Sequence, residues 1–164
     1  MATPTDRRLY FLRHGLADRN AWTGDDFSRP LTTAGKQRMA REATTMGRLD
    51  LQVDLILTSP LTRAAQTAAI VAEHLDLTDR VCEDERVAFG LDAASLARLL
   101  ADHPEARSLL LVGHEPSFSL TISEITGGGD VICKKGSLAR VDLIQDDPPR
   151  GDLVWLLPPK ILAL

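Results

Sequence analysis

The 164-residue sequence predicts a mixed α/β fold: a three-layer α/β/α sandwich built on a mostly parallel sheet, with an antiparallel hairpin at its C-terminal edge. Two observations carry that reading. Apolar runs of strand length alternate with amphipathic stretches of helical spacing, and parallel strands require such crossover helices, which then cover both faces of the sheet. The last two apolar runs are separated instead by a turn-rich connection, the sign of antiparallel neighbours. With 44% hydrophobic residues a chain of this length can bury one sizeable core, so residues 1–164 are expected to form one domain.

The first strand is Leu9-Tyr10-Phe11-Leu12, followed by a helical segment from Thr33 to Leu49. Val53 to Leu57 is the second apolar run. From Pro60 to Leu75, the residues Leu61, Ala64, Ala65, Ala68, Val71, Ala72 and Leu75 recur at the spacing of a helix face. Val81 opens a short third strand, and Ala93 to Asp102 repeats leucine at Leu96, Leu99 and Leu100. Ser108 to Val112 lacks polar alternation, as a strand buried on both faces does. A fourth helix is expected after Pro116, and Leu138 to Ile144 and Leu153 to Leu157 then flank the turn-rich segment Gln145 to Gly151. The glycines of Thr126-Gly127-Gly128-Gly129-Asp130 follow a helix rather than a strand, which makes them a flexible loop and not a dinucleotide-binding turn.

Composition removes several classes of function. Nineteen Lys and Arg against 23 Asp and Glu give a net charge of -4, so no broad basic surface is available for nucleic acid. Cys82 and Cys133 stand far apart and outside any CxxC motif, which argues against a disulfide framework or a zinc knuckle and suits a reducing cytoplasm. Met1 to Arg8 is short and polar, and no run approaches the roughly 18 apolar residues of a membrane span. A soluble, cytoplasmic protein without a membrane partner is expected, a monomer or weak dimer. Asp18, Asp25 and Asp26 form an acidic cluster without the spacing of an oxygen-ligand loop, so neither a metal nor another cofactor is expected.

In open α/β sheets ligands bind beyond the carboxyl ends of the parallel strands. Three such ends carry chemistry: Arg13-His14-Gly15, then Thr58-Ser59-Pro60 with Arg63, then Gly113-His114-Glu115. An imidazole is substantially neutral at pH 7 and can attack phosphorus. Guanidinium groups match the oxygens of a phosphoryl group and keep their charge, a task that suits Arg13 and Arg63. His114 is placed to stabilise the charge that redistributes during transfer, and Gly15 permits a tight turn beside the phosphate. Arg63 also falls in the first turn of a helix, where the backbone N–H groups favour an anion. His74, late in a helix, and His103, before Pro104 at a helix end, have ordinary structural places.

These three segments, in this order and setting, resemble the histidine phosphatase superfamily, which includes the phosphoglycerate mutases. The likeness extends to Ser59-Pro60-Leu61-Thr62-Arg63-Ala64-Ala65-Gln66-Thr67. Arg29-Pro30-Leu31-Thr32 and Lys134-Lys135-Gly136-Ser137-Leu138-Ala139-Arg140 look like the SixA-type phosphohistidine phosphatases within it. The resemblance implies that His14 is the nucleophile, that Arg13, Arg63 and His114 bind the phosphoryl group, and that the activity is phosphoric monoester or phosphohistidine hydrolysis. It also sets Asn20 at the offset of a phosphate-touching asparagine, although Ala17-Asp18-Arg19 departs from the relatives' sequence.

Two residues compete for the general acid. Glu85 stands where mutase-like relatives keep a glutamate, and Glu115 where acid-phosphatase relatives keep an aspartate. Glu115 is equally well explained as a carboxylate at a helix N-terminus. A phosphohistidine substrate relaxes the need for an acid, because imidazole departs protonated or nearly so. The short stretch from Glu83 to Asp92 leaves no room for a helical lid, which points to a shallow pocket and a phosphohistidine on a protein partner. A small phosphate ester as substrate and a phosphate-binding module without turnover are the rival readings. Lys134 and Lys135 read as a solvated face that could meet a partner's acidic surface.

Overall fold

The computed structural model describes residues 5–164; Met1 to Pro4, part of the polar N-terminal stretch, lie outside the described residues. Six strands form one sheet: β1 (Arg8–Arg13), β2 (Leu55–Thr58), β3 (Val81–Glu83), β4 (Ser108–Gly113), β5 (Leu138–Asp146) and β6 (Pro149–Leu157). Their order is β3-β2-β4-β1-β5-β6. The first four are parallel to one another, whereas β5 runs antiparallel to β1 and β6 antiparallel to β5. The helices are α1 (Thr33–Arg48), α2 (Thr62–His74), α3 (Ala93–Asp102), α4 (Ser117–Ile125) and the short α5 (Pro159–Leu162).

Side chains alternate across a strand, and here both faces are covered. From β1 and β4, Leu9, Phe11, Leu109 and Leu111 enter a core with Leu96, Leu99 and Leu100 of α3 and Phe118 and Ile122 of α4. Tyr10, Leu12, Leu110 and Val112 enter a second core with Met39, Ala43 and Met46 of α1 and Ala64, Ala68 and Val71 of α2. Every residue of β4 is buried, which is why its sequence shows no polar alternation. Burying each leucine of these strands stabilises the fold by roughly 1.5–3 kcal/mol.

Local signals fix the helix starts. Thr32 Oγ1 accepts from Gly35 N–H at 2.9 Å to cap α1, and Asp92 Oδ1 accepts from Ser95 N–H at 2.7 Å to cap α3. The hairpin differs from expectation in its extent. β6 begins at Pro149 rather than Leu153, and the connection shrinks to Asp147-Pro148. At a sheet edge most side chains of the early β6 stay exposed, so its backbone ladder continues through Arg150 and Asp152 without any apolar signal. No helix among the described residues is long and apolar enough to cross a membrane.

Candidate active site

The order β2-β4-β1 brings three strand ends side by side, so Ser59, His114 and His14 emerge on one rim. The backbone there is tied together. His14 N–H donates to Gly113 O at 3.0 Å, and Ser59 N–H donates to Val112 O at 2.9 Å. Gly136 N–H reaches both Arg13 O and His14 O at 3.1 Å, with φ at +84°. A side chain at Gly136 would be strained by that angle, and its Cβ would lie 2.7 Å from Glu42 Oε1.

His14 is buried, and its Nδ1 lies 2.7 Å from Gly15 O. A carbonyl only accepts, so Nδ1 carries the ring proton and Nε2 carries the lone pair. Arg63 Nε donates to that Nε2 at 3.3 Å. Burial, reinforced by His114, Arg63 and Arg13 and opposed by the Gly15 carbonyl, pushes the His14 pKa down to about 3. The imidazole is therefore neutral and unprotonated at Nε2 at physiological pH.

Arg63 is 2% exposed and held by both terminal nitrogens, Nη1 to Asp26 O at 2.8 Å and Nη2 to Asp26 Oδ2 at 3.1 Å. The fork expected to grip phosphate is thus occupied by Asp26, and Nε is the nitrogen turned to His14. Asp26 also accepts from Arg29 Nη2 at 3.1 Å and lies 3.7 Å from Arg19 Nη2. Arg13 donates from Nη1 to Cys133 O at 2.9 Å and keeps a buried Nε without a partner. Burial lowers the pKa of both Arg13 and Arg63, and both remain cations.

His114 is buried against Ser59, with Nε2 to Oγ at 2.8 Å, while Leu61 N–H donates to the same Oγ at 3.2 Å. Its Nδ1 is buried without a partner. Burial first and Arg63 second press the His114 pKa down to about 4. The His14 and His114 rings lie 5.2 Å apart, and the exposed Phe89 packs 4.6 Å from His114. Together Arg13, His14, Arg19, Arg29, Arg63, Phe89, His114, Glu115 and Lys135 line a cavity of about 300 Å³.

The other candidates are dispersed. Glu115 reaches the cavity wall, yet both its oxygens accept from Ser119, Oε1 from the backbone N–H at 3.0 Å and Oε2 from the hydroxyl. Glu85 is exposed in a 3₁₀ turn, Glu85–Val87, and does not line the cavity. Asn20 is exposed outside it, its N–H bonded to Asp18 Oδ1 at 2.8 Å. Gly15 donates its N–H to Thr67 Oγ1 at 3.1 Å, so that group is not offered to the cavity. Among the described residues no His, Cys, Asp and Glu side chains cluster as a metal site would require.

Sequence reasoning gave no role to Asp26, Ser59 or Phe89. Asp26 sits in the acidic cluster Asp18, Asp25 and Asp26, whose spacing fits no metal loop and points to no other role. Ser59 was visible within the Ser59-to-Thr67 segment, but its contact with His114 depends on the adjacency of β2 and β4.

Comparison with known proteins places this geometry. Residues 9–88 match the family model described as histidine phosphatase superfamily, branch 1. An uncharacterized protein of Picosynechococcus sp. is 43% identical over 111 residues, 66% of each chain. The solved protein histidine phosphatase SixA in complex with tungstate superposes with a TM-score of 0.83 at 23% identity, covering 93% of this chain and 97% of that one. A protein assigned as a phosphohistidine phosphatase SixA from Agrobacterium tumefaciens reaches 0.76 at 26% identity, covering 93% and 98%. A mycobacterial glucosyl-3-phosphoglycerate phosphatase bound to VO3 reaches 0.70 at 20% identity, covering 91% and 98%. With the motif order, the parallel sheet with its antiparallel edge and the family match agreeing, the chain has the fold of the histidine phosphatase superfamily and matches its family model over residues 9–88.

Proposed function

We propose that the chain is a phosphohistidine phosphatase acting on a protein substrate, with His14 as the phosphoryl acceptor. The observation that carries the proposal is a buried, neutral imidazole whose lone pair at Nε2 faces a cavity lined by Arg13, Arg19, Arg29, Arg63 and Lys135. Nε2 leaves Arg63 Nε and attacks phosphorus; the bond from phosphorus to the substrate's imidazole nitrogen breaks, its electron pair stays with that nitrogen, and the proton on the ring's other nitrogen lets the group leave as neutral imidazole. A water molecule then attacks phosphorus, the bond to Nε2 breaks with its electron pair returning to Nε2, and the water's oxygen and both its protons leave with the phosphoryl group as dihydrogen phosphate, so that His14 is again neutral with its proton on Nδ1.

In this scheme Arg63 Nε passes from the nucleophile to a phosphoryl oxygen, and the unpartnered Arg13 Nε and His114 Nδ1 supply further donors to the charge that spreads over those oxygens. If Ser59 donates its own proton to His114 Nε2, the proton of that ring sits on Nδ1, as the scheme requires.

The size and openness of the site support a protein substrate. A cavity of about 300 Å³ is at the lower limit for a small-molecule site and accommodates a phosphoryl group with little more. The stretch from Glu83 to Asp92 holds only the 3₁₀ turn and no lid helix. Likeness to SixA-type structures agrees with this substrate class. One observation favours a small phosphate ester instead: Glu115 is a carboxyl on the cavity wall, where an alkoxide leaving group needs an acid.

Steady-state hydrolysis of a phosphohistidine peptide and of an alkyl phosphate by the wild type, Glu115→Gln and Glu85→Gln separates the two. The proposal expects the peptide to be the better substrate and its turnover to survive both substitutions. Preference for the alkyl phosphate, abolished by Glu115→Gln, would replace it with the monoesterase reading.

A further inference from the structure

Next to the phosphoryl cavity lies a larger one, about 620 Å³, lined by Arg13, Leu16, Arg38, Lys134, Lys135, Pro158, Pro159, Lys160 and Ile161. The two share Arg13 and Lys135, so they form one continuous surface. The larger cavity has five cations and no acid in its lining. Lys134, Lys135 and Lys160 form no ion pair among the described residues. Its remaining wall is apolar, from Leu16, the two prolines and Ile161, which is 51% exposed. In a chain of net charge -4 this is a local reversal of sign, and such a reversal orients an incoming anionic surface.

We propose that this groove docks an acidic, partly apolar segment of the phosphorylated partner protein, carboxylates against the lysines and an aliphatic side chain against Pro158, Pro159 and Ile161. The inference rests on the protein-substrate reading above and adds to it the chemistry of the sequence around the phosphohistidine. Three observations favour such a segment. The groove is about twice the volume of the phosphoryl cavity beside it, and its lining mixes charge with hydrocarbon, as a peptide does. The lysines at its edge, Lys134 and Lys160, are exposed and come from distant parts of the chain, the loop before β5 and α5.

The test measures binding by fluorescence anisotropy at physiological salt. The probes are two peptides carrying a phosphonotriazole mimic of phosphohistidine, one flanked by Glu and Leu and one by Lys and Ser. Wild type should bind the acidic peptide at least about tenfold tighter, the effect of several partly exposed ion pairs acting together. In the Lys134→Glu/Lys160→Glu double variant that preference should fall below about twofold, with hydrolysis of a small phosphate ester unchanged. Both lysines are exposed and outside the phosphoryl cavity, so the variant is expected to fold.

Equal affinity for the two peptides, or a preference that survives in the double variant, overturns the inference. So does a short diol bisphosphate binding as much tighter than its monophosphate as the acidic peptide does, which would assign the groove to a second small anion. Self-association that blocks both peptides would assign it to another copy of the chain and overturn it too. A preference for the acidic peptide without hydrolysis of any phosphohistidine peptide leaves the groove standing and removes the proposed reaction; hydrolysis without preference does the reverse.

Discussion

Replacing Asp26 by Asn separates the two things its carboxylate does. It holds Arg63 Nη2 at 3.1 Å, and it is the shared counterion of Arg63, Arg29 and Arg19. Asparagine preserves the side-chain volume, and the backbone Asp26 O keeps its bond to Nη1. A hydrogen bond to a charged group is worth about 1.5–3 kcal/mol when well buried. Arg63 is 2% exposed but the Asp26 side chain is 44% exposed, so solvent screening brings the loss to about 1 kcal/mol. That corresponds to roughly a fivefold fall in kcat as Arg63 loses its fixed aim at the phosphoryl oxygens. The same substitution removes a negative charge beside three guanidinium groups, so inorganic phosphate should inhibit more strongly. Steady-state kinetics with phosphate as a competitive inhibitor read both effects. Asp25→Asn is the control, because Asp25 bonds to Ser28 and not to Arg63. An unchanged kcat, or a parallel weakening of phosphate inhibition, would refute the assignment of Asp26 as the residue that positions Arg63.

Two more expectations follow from the same site. Ser59→Ala removes the partner of His114 Nε2 and should lower kcat by about tenfold with little change in KM, a split that steady-state kinetics resolve. Stability should fall as pH is lowered from about 6.5 towards 4. His14 and His114 have folded pKa values of about 3 and 4, below the ordinary 6.5, so their contribution is complete above 6.5 and lost as pH falls, by up to about 1.4 kcal/mol per pH unit each. Glu42, raised to about 7 by burial, acts oppositely: its contribution is complete below 4.5 and lost as pH rises through 7. Two terms against one leave a net slope of about 1.4 kcal/mol per pH unit between 4.5 and 6.5, and Glu42→Gln should steepen it. Urea unfolding across that range measures the slope, and a flat or inverted profile would contradict the burial argument.

The features legible in the sequence were those written as contiguous runs. The buried strands β1 and β4 show as unbroken apolar stretches because both faces meet helices. His14, Arg63 and His114 are legible because each follows such a run or opens the next helix. What remained hidden depends on contacts between distant segments. Asp26 gains its meaning when the loop before α1 folds back over α2, and 37 residues separate it from Arg63. The proton position on His14 is set by a neighbouring carbonyl, which a residue pattern does not encode. Lys134 and Lys135 read alike in the sequence, yet Lys134 is exposed and the half-buried Lys135 lines the phosphoryl cavity. The start of β6 is not legible in the sequence because an edge strand is marked by its backbone pairing, not by apolar side chains.

The phosphoenzyme itself is the object to measure. Rapid mixing with a radiolabelled phosphohistidine peptide, followed by an alkaline quench and peptide mapping, captures it during turnover. The structure predicts an acid-labile, base-stable label on the His14 peptide, with two-dimensional NMR placing the phosphoryl group on Nε2, and no label in His14→Ala. Label on Ser59 or His114, or multiple turnovers without label on His14, would contradict the assignment of His14 as the phosphoryl acceptor.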